Sequence, residues 1–268
     1  MQFDLKKYEE VLQKQVRKGK LSPKTATAYM SCMERLSEYC IRSPDCSLSE
    51  AIVGVSGANE QVPKIIAAVK KYERDVMDNP KCLLYGHDLQ KLRQDHKQRE
   101  IGRPLALEEK SYLHKINALR NKKLKLAFRL QYRSGLRISE VAALTPDDIT
   151  FGDDGNMTLL VRSGKGRKSR TVDVMNDEYL YHNLKELSEE SEGTLFYSAS
   201  YMQKKAAEHN LLTHDLRRIN SKERFRKELE NGSSRRAARR EVQQQFGHEK
   251  PRITSAYLGT DWEVDNDE

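Results

Sequence analysis

Apolar residues at helical spacing run through the first third of the chain and restrict how this part can fold. From Phe3 to Arg17 they recur close to every 3.6 residues, which places them on one face of a helix. A second helix is predicted to begin with Ser22 as N-cap and Pro23 in its first turn. Two more helices are predicted at 49–55 and 62–77. This pattern predicts a bundle of four short helices.

A polar, strongly charged stretch from Gln90 to Pro104 interrupts the helical pattern and reads as a linker or an exposed helix end. A chain of 268 residues is long enough for two domains. We therefore predict a helical domain at 1–95, a linker at 96–106 and a second domain at 107–268, which ends in a short acidic tail.

The second part of the chain mixes helical and strand-like patterns. Helical periodicity runs from Leu107 to Leu119 and from Leu124 to Ser134, and a short helix follows Gly135. Strands are predicted at 148–151, 157–162 and 170–174, with a further small strand at 194–197. A glycine-containing loop between the second and third strands suits a hairpin. The predicted fold class is mainly α with a small antiparallel β-sheet, a helical domain preceding a mixed one.

The charge of the chain favours a polyanionic partner. Its net charge is +8 and its pI about 9.2, and residues 217–240 hold ten Lys or Arg against three Glu. A solvated helix surface is an equally good explanation of the charge alone. No apolar run is long enough to span a bilayer, and the N-terminus lacks a secretory pattern, so we expect a cytoplasmic protein. The four cysteines lack metal-ligand spacing and are expected to be reduced thiols.

Two patterns in the second part could bind a phosphate. In SGLRISE, Arg137 follows a glycine at a helix start, where a guanidinium and helix N–H groups both favour an anion, and Glu140 could orient it. In SGKGRKSR, Lys165 stands between two glycines, which allow a loop to enter a groove. Each has an ordinary alternative, a surface ion pair for the first and a solvated turn for the second.

Two further patterns could supply a nucleophile and its activation. In THDLRR, His214 and Arg217 share one helical face, and Thr213 or its neighbour could cap that helix. In FGHEKPRITSAYLG, His248 precedes Tyr257 by nine residues. Tyrosine is a poor nucleophile at neutral pH because its pKa is about 10, but nearby Arg and His would favour the phenolate. Taken singly, each residue is more often structural.

Together these residues resemble the site of the tyrosine recombinase, or phage integrase, family. The chain is similar to that family over most of its length. The similarity is weak from about Ser22 and strong from Leu107 to Gly259. The family's pattern is Arg, Lys, His-x-x-Arg, His or Trp, then Tyr, and six residues match it in order: Arg137, Lys165, His214, Arg217, His248 and Tyr257. Glu140 matches the acidic residue that supports the first arginine. In the N-terminal part, SPKTATAY resembles the opening of the family's core-binding domain.

The resemblance implies a site-specific recombinase that cleaves and rejoins DNA through a 3′-phosphotyrosine, for integration or excision of a mobile element. Arg137, Arg217 and His248 would hold the phosphate, His214 would help to deprotonate Tyr257, and Lys165 would protonate the leaving oxygen. Two domains would clamp duplex DNA, with dimers on inverted half-sites and tetramers in a synapse, without metal or nucleotide cofactor. DNA contacts are predicted from Arg167, Lys168, Arg170, Arg218, Arg235 and Arg236. A topoisomerase of the same chemistry and an inactive DNA-binding relative are the alternatives.

Two features depart from the family pattern, and a third concerns the subgroup within it. The segment between Arg217 and His248 is longer than usual and rich in arginine. The tail after Tyr257 has eleven residues, is acidic and offers Trp262 as its one obvious anchor for docking on a neighbouring protomer. The first predicted helix begins near residue 1, which favours a simple recombinase or a compact mobile-element integrase over the larger lambda type.

Overall fold

The computed structural model divides the chain into two units, Met1–Arg99 and Glu100–Glu268, each with its own hydrophobic core. It describes residues 2–56, 61–79, 86–95, 105, 107–164 and 169–259. Of the linker predicted at 96–106, only residue 105 is described, so its bounds stay a prediction. No helix within the described ranges is both long and apolar enough to cross a membrane.

The first unit is a bundle of helices whose starts follow from local capping. Its described helices are α1 Leu5–Arg17, α2 Pro23–Arg42, α3 Leu48–Ser56, α4 Val62–Asp75 and α5 Gly86–Asp95. As predicted, the Ser22 hydroxyl caps α2, accepting a 3.1 Å bond from the Thr25 amide, and Pro23 occupies its first turn. The core of this unit includes fully buried side chains from three of these helices: Tyr8 of α1, Met33 of α2 and Ile65 of α4.

The prediction of four helices was wrong, because α5 adds a fifth among the described residues. Leu89 and Leu92, three apart on one face of α5, are buried in the core of the first unit. The charged side chains around these two leucines conceal the pattern in the sequence. Part of the stretch read as a linker or helix end is therefore a packed helix.

The second unit combines eight described helices with three strands. In chain order they are α6 Glu109–Asn117, α7 Lys122–Ser134, α8 Ile138–Val141, β1 Ile149–Phe151, β2 Met157–Val161, β3 Arg170–Val174, α9 Glu178–Glu189, α10 Ala199–Glu208, α11 Thr213–Glu230, α12 Arg235–Phe246 and α13 Pro251–Leu258. A turn of 3₁₀ helix, Pro146–Asp148, precedes β1. The mainly helical fold with a small antiparallel sheet is confirmed.

The sheet has the order β1-β2-β3, and both strand pairs are antiparallel. Leu159 in the middle of β2 faces Ile149 on one side and Val172 on the other, and these three side chains are buried. The strand predicted at 194–197 was wrong. That segment is irregular, and its Leu195 N–H donates one backbone hydrogen bond to Leu144 O at 2.8 Å. Its apolar residues pack in the core of the second unit.

A small separate cluster joins the three C-terminal helices. Ala238, Val242 and Phe246 recur every four residues along α12 and bury one stripe of that helix. They pack with Phe225 of α11 and Leu258 of α13. This cluster fixes the position of α13, which carries the predicted nucleophile.

Candidate active site

Helix ends converge on one cavity of about 560 Å³ in the second unit. The start of α8, the first turn of α11, the residues after α12 and the last turn of α13 all contribute to its lining. Five of the six predicted catalytic residues line it: Arg137, His214, Arg217, His248 and Tyr257. Lys165, with Arg167 and Lys168, lies outside the described residues.

Arg217 is the most deeply buried cation of the site, with 1% of its surface exposed. Its guanidinium donates hydrogen bonds to the carbonyl oxygens of Gly135 and, at 2.8 Å, Phe246. These carbonyls lie at the C-terminal ends of α7 and α12, where the helix dipole favours a positive charge. Nε of Arg217 has no hydrogen-bond partner among the described residues. Two backbone carbonyls thus hold the guanidinium in place, and its Nε–H remains as a further hydrogen-bond donor.

Gly135 allows this arrangement by ending α7 in the left-handed region at φ +69°. A Cβ atom there would lie 2.7 Å from the Asn220 side-chain oxygen and would clash with the Phe246 ring. Any other residue would therefore displace the carbonyl that Arg217 binds. The sequence pattern predicts only a helix break at this glycine.

Arg137 caps α8 and is tied to a buried carboxylate. Its backbone N–H donates to Glu140 Oε2 and its Nη1 to Oε1, both at 2.8 Å. Arg170 adds Nη1 to Oε1 at 3.1 Å and Nη2 to Oε2 at 2.8 Å. Burial alone would raise the pKa of Glu140, but Arg170 and Arg137 outweigh it and lower the pKa to about 2. Glu140 is therefore an anion at neutral pH.

His248 is buried with both ring nitrogens engaged. Arg217 Nη2 lies 3.3 Å from Nε2, and because a guanidinium only donates, Nε2 must accept. Nδ1 then carries the proton and donates to the Thr254 hydroxyl at 3.0 Å. These bonds assign a neutral imidazole with the proton on Nδ1. Thr254, six residues after His248 and fully buried, was missed in the sequence, where nothing marks it as a partner of the histidine.

Tyr257 directs its hydroxyl at His214. The oxygen lies 3.3 Å from Nε2 and 3.4 Å from Nδ1 of that imidazole, and the two rings meet edge to face at 5.3 Å. Desolvation and the charge of Arg217 lower the pKa of His214 below its ordinary 6.5, although part of its surface is exposed. His214 is therefore neutral at pH 7 and able to accept a proton. It lies in the first turn of α11, whose N-cap is Leu212, the neighbour of Thr213, and the Leu212 side chain makes no capping hydrogen bond.

Two guanidinium groups share this cavity. Burial and the positive charge of Arg137 lower the pKa of Arg217 to about 10. Repulsion of this kind is relieved when an anion binds between the charges. The cavity therefore combines anion recognition with a hydroxyl nucleophile and a neutral base. No cluster of three His, Cys, Asp or Glu side chains suited to a metal occurs in the part of the chain that the structure describes.

The arginines predicted to contact DNA separate into two groups. Arg170 has 12% of its side chain exposed and binds Glu140, and Arg218 has 10% exposed and lies 3.6 Å from Asp215. Both guanidiniums point to carboxylates inside the unit, so we expect no direct DNA contact from either. Arg236 of α12 is exposed, and Arg235 beside it is half-buried.

Comparisons with known proteins relate the chain to a family and to solved structures of the same fold. The XerA tyrosine recombinase of Thermococcus onnurineus (strain NA1) is 31% identical over 90 residues, which cover 34% of this chain and 31% of that protein. The match thus spans about a third of that relative's length. A lambda integrase dimer bound to a COC′ core site superposes with a TM-score of 0.64 at 17% identity, covering 98% of this chain and 78% of that one.

A Tn1549 transposon integrase in complex with transposon right end DNA superposes with a TM-score of 0.61 at 16% identity, covering 93% of this chain and 94% of that one. At such identities these two structures show a shared fold. The phage integrase family model matches residues 106–263, more than half of the chain, and all five described catalytic candidates lie in this range. The family resemblance inferred from the sequence is confirmed: the chain belongs to the phage integrase family of tyrosine recombinases.

Proposed function

We propose that this chain is a site-specific DNA recombinase that cleaves and rejoins DNA strands through a covalent 3′-phosphotyrosine at Tyr257. The observation that carries the proposal is the placement of the Tyr257 hydroxyl 3.3 Å from His214 in a cavity lined by Arg137 and Arg217. A nucleophile, a base and two cations within one cavity suit attack on a phosphodiester.

The proposed chemistry needs each of these groups at a stated step. The scissile phosphate binds between Arg137 and Arg217, whose charges stabilise the transition state. The Tyr257 oxygen bonds to phosphorus as its proton passes to His214, and the bond to the 5′-oxygen breaks. Lys165 supplies a proton to that oxygen. A 5′-hydroxyl from another strand reverses these steps, so no external energy source is needed.

His248 contributes by holding Arg217. With Nε2 accepting from Arg217 and Nδ1 donating to Thr254, it orients the guanidinium that faces the phosphate. In this conformation the Nε2 lone pair is used by the arginine. A direct bond from His248 to the phosphate would require the other tautomer.

Similar proteins support a proposal for the DNA partner and for the assembly on it. Lambda integrase has been solved as a dimer on a core site and as a tetramer on a Holliday junction, and the Tn1549 transposon integrase has been solved in complex with transposon right end DNA. We propose that this chain likewise binds duplex DNA as a dimer, recombines as a tetramer and moves a mobile element. Transfer of strands between two separate sites would distinguish recombination from topoisomerase activity.

Covalent trapping tests the proposal. The wild-type chain is incubated with duplex fragments of the DNA that flanks its gene, denatured, and freed of non-covalent complexes before the attached DNA is sequenced. We expect protein joined to 3′-phosphoryl ends at one defined position in inverted half-sites. Covalent products spread over all sequences, or none at all, would contradict a site-specific recombinase.

The rate of cleavage should depend on pH through His214. As a base it works in the neutral form, and because its pKa is lowered, activity should be lost only as pH falls below 6.5. The measurement is single-turnover cleavage of saturating DNA from pH 5 to pH 8. His214→Gln should be slower and lack this acid limb, whereas His182→Gln on α9 should keep it. A midpoint above 6.5 would contradict the assignment.

Exposed arginines of α12 should contribute to the salt dependence of DNA binding. Arg236 and Arg240 lie four residues apart on the exposed face of α12. With six or more phosphate contacts, affinity should fall about a thousandfold or more between about 50 and 200 mM salt. Arg236→Ala and Arg240→Ala should each reduce the slope of log affinity against log salt by about one. Lys185→Ala, an exposed cation of α9, is the control; equal slopes in all variants would give α12 another role.

A further inference from the structure

We propose that Arg170 is a positioning residue for strand cleavage: its positive charge balances that of the Glu140 carboxylate, so that the charge of Arg137 remains available to the phosphate, and its side chain fixes the turn that carries His248. The inference rests on the proposed function. It assigns to Arg170 a role in catalysis in place of the DNA contact expected from its sequence context.

The first contact that supports the proposal is between the guanidinium of Arg170 and the carboxylate of Glu140. Each of its oxygens accepts one bond from Arg137 and one from Arg170. The residue is buried, with 5% of its surface exposed, and is ionised at neutral pH. Arg170 supplies a parallel pair of N–H donors, the geometry in which a guanidinium binds a carboxylate best.

The charge of this cluster explains why a second arginine is needed. Arg137 and Glu140 alone sum to zero, whereas Arg137, Glu140 and Arg170 sum to +1. A buried carboxylate that lacked Arg170 would draw Arg137 into a closer pair with itself, because an unpaired buried charge is costly. The guanidinium of Arg137 would then turn from the cavity. With Arg170 in place, the Arg137 guanidinium makes one hydrogen bond to Glu140, and the three side chains keep a net positive charge at the site.

The second contact joins Arg170 to the other side of the cavity. Its Nε donates to the carbonyl of Gln245 at 3.0 Å, in the last turn of α12. Gly247 ends this helix at φ +60°, and a Cβ atom there would lie 3.2 Å from Cδ of Arg170. The arginine therefore packs beneath the turn that leads to His248. Arg170 on β3 therefore contacts both Glu140, which binds Arg137, and the end of α12, which precedes His248.

Three variants test this role on the mapped cleavage site as a duplex probe, with binding and chemistry measured separately. Arg170→Ala should lower the single-turnover cleavage rate at saturating DNA by about a hundredfold, as expected for a misplaced catalytic group. Its affinity for the same duplex should stay within about twofold. Arg170→Lys restores charge but not the paired donors, so it should recover part of the rate.

Arg129→Ala is the matched control. Arg129 is similarly buried, with 15% of its side chain exposed, and binds the buried carboxylate of Asp177 at 2.7 Å. The other partners of that carboxylate, Arg133 and Leu180, do not line the cavity, whereas Arg137, which shares Glu140 with Arg170, does. It should lower thermal stability without a comparable loss of the cleavage rate. If Arg170→Ala does not fold, the cleavage rate of Arg170→Lys is compared with that of the wild-type chain instead. Loss of rate in proportion to loss of stability, in both arginines alike, would overturn the proposal.

A double-mutant cycle identifies the group through which Arg170 acts. If it works largely through Arg137, cleavage by the Arg137→Ala/Arg170→Ala double variant should stay within about threefold of Arg137→Ala. Multiplied losses would overturn that link. A weakened salt slope with an unchanged rate would make Arg170 a phosphate contact and overturn this inference alone. A wild-type chain without covalent product would overturn the proposed function and, with it, this inference.

Discussion

Tyr257→Phe should bind DNA as the wild-type chain does and form no covalent protein–DNA product. The substitution removes only the hydroxyl, which contacts His214. The ring contacts with His248 at 5.0 Å and Phe246 at 6.2 Å remain, so α13 should keep its place. Without an oxygen nucleophile the phosphotyrosine bond cannot form, and the loss of cleavage should be complete.

The measurement is a denaturing gel of trapped reactions beside a binding assay on the same duplex. Tyr201→Phe is the matched control, since Tyr201 is an exposed tyrosine of α10 that does not line the cavity. It should form wild-type amounts of covalent product. A covalent band that persists in Tyr257→Phe would move the nucleophile elsewhere, with Tyr201 and Tyr197 the next candidates.

Lys165→Ala should slow cleavage of ordinary DNA by about a hundred- to ten-thousandfold, the usual contribution of a general acid, with binding nearly intact. The 5′-alkoxide is a poor leaving group and needs a proton as it departs. Lys165 itself is outside the described residues, but the strands on either side of its loop are paired, Val161 with Arg170. Because Arg170 binds Glu140 beside the cavity, the loop starts and ends close to the site.

Replacement of the bridging 5′-oxygen by sulfur separates this role from phosphate binding. A thiolate leaves without a proton, so Lys165→Ala should cleave the sulfur substrate at close to the wild-type rate. Arg137→Ala is the control and should stay impaired on both substrates, because its charge stabilises the phosphate. Failure of sulfur to rescue Lys165→Ala would make the lysine a phosphate anchor and direct the search for the proton donor to Lys168.

Much of the fold was predictable because its signals are local. The Ser22-Pro23 cap marks the start of α2, and alternating apolar residues mark β2 on either side of Leu159. The errors have local causes too. Leu89 and Leu92 stand among charged residues and hid α5, while the apolar run at 194–197 looks like a strand but packs as irregular chain.

The sequence by itself determined which residue types could do the chemistry. Because their order and spacing, from Arg137 to Tyr257, resemble those of the tyrosine recombinase family, they indicate a phosphate-binding nucleophilic site. The order and spacing of residues do not determine, however, how close residues far apart in the chain come in the folded protein. The meeting of Tyr257 with His214 therefore came only from the packing of α13 against α11 and α12.

Only the tertiary structure decided which groups the Arg170 side chain contacts. In SGKGRKSR, Arg167 and Arg170 are alike, and the sequence assigned DNA contact to both. Arg170 instead binds Glu140, thirty positions earlier, because pairing of β3 with β2 brings its side chain to a buried carboxylate. A buried charge must find its partner wherever the fold places one, and that choice depends on contacts between distant segments, which composition and local pattern do not encode.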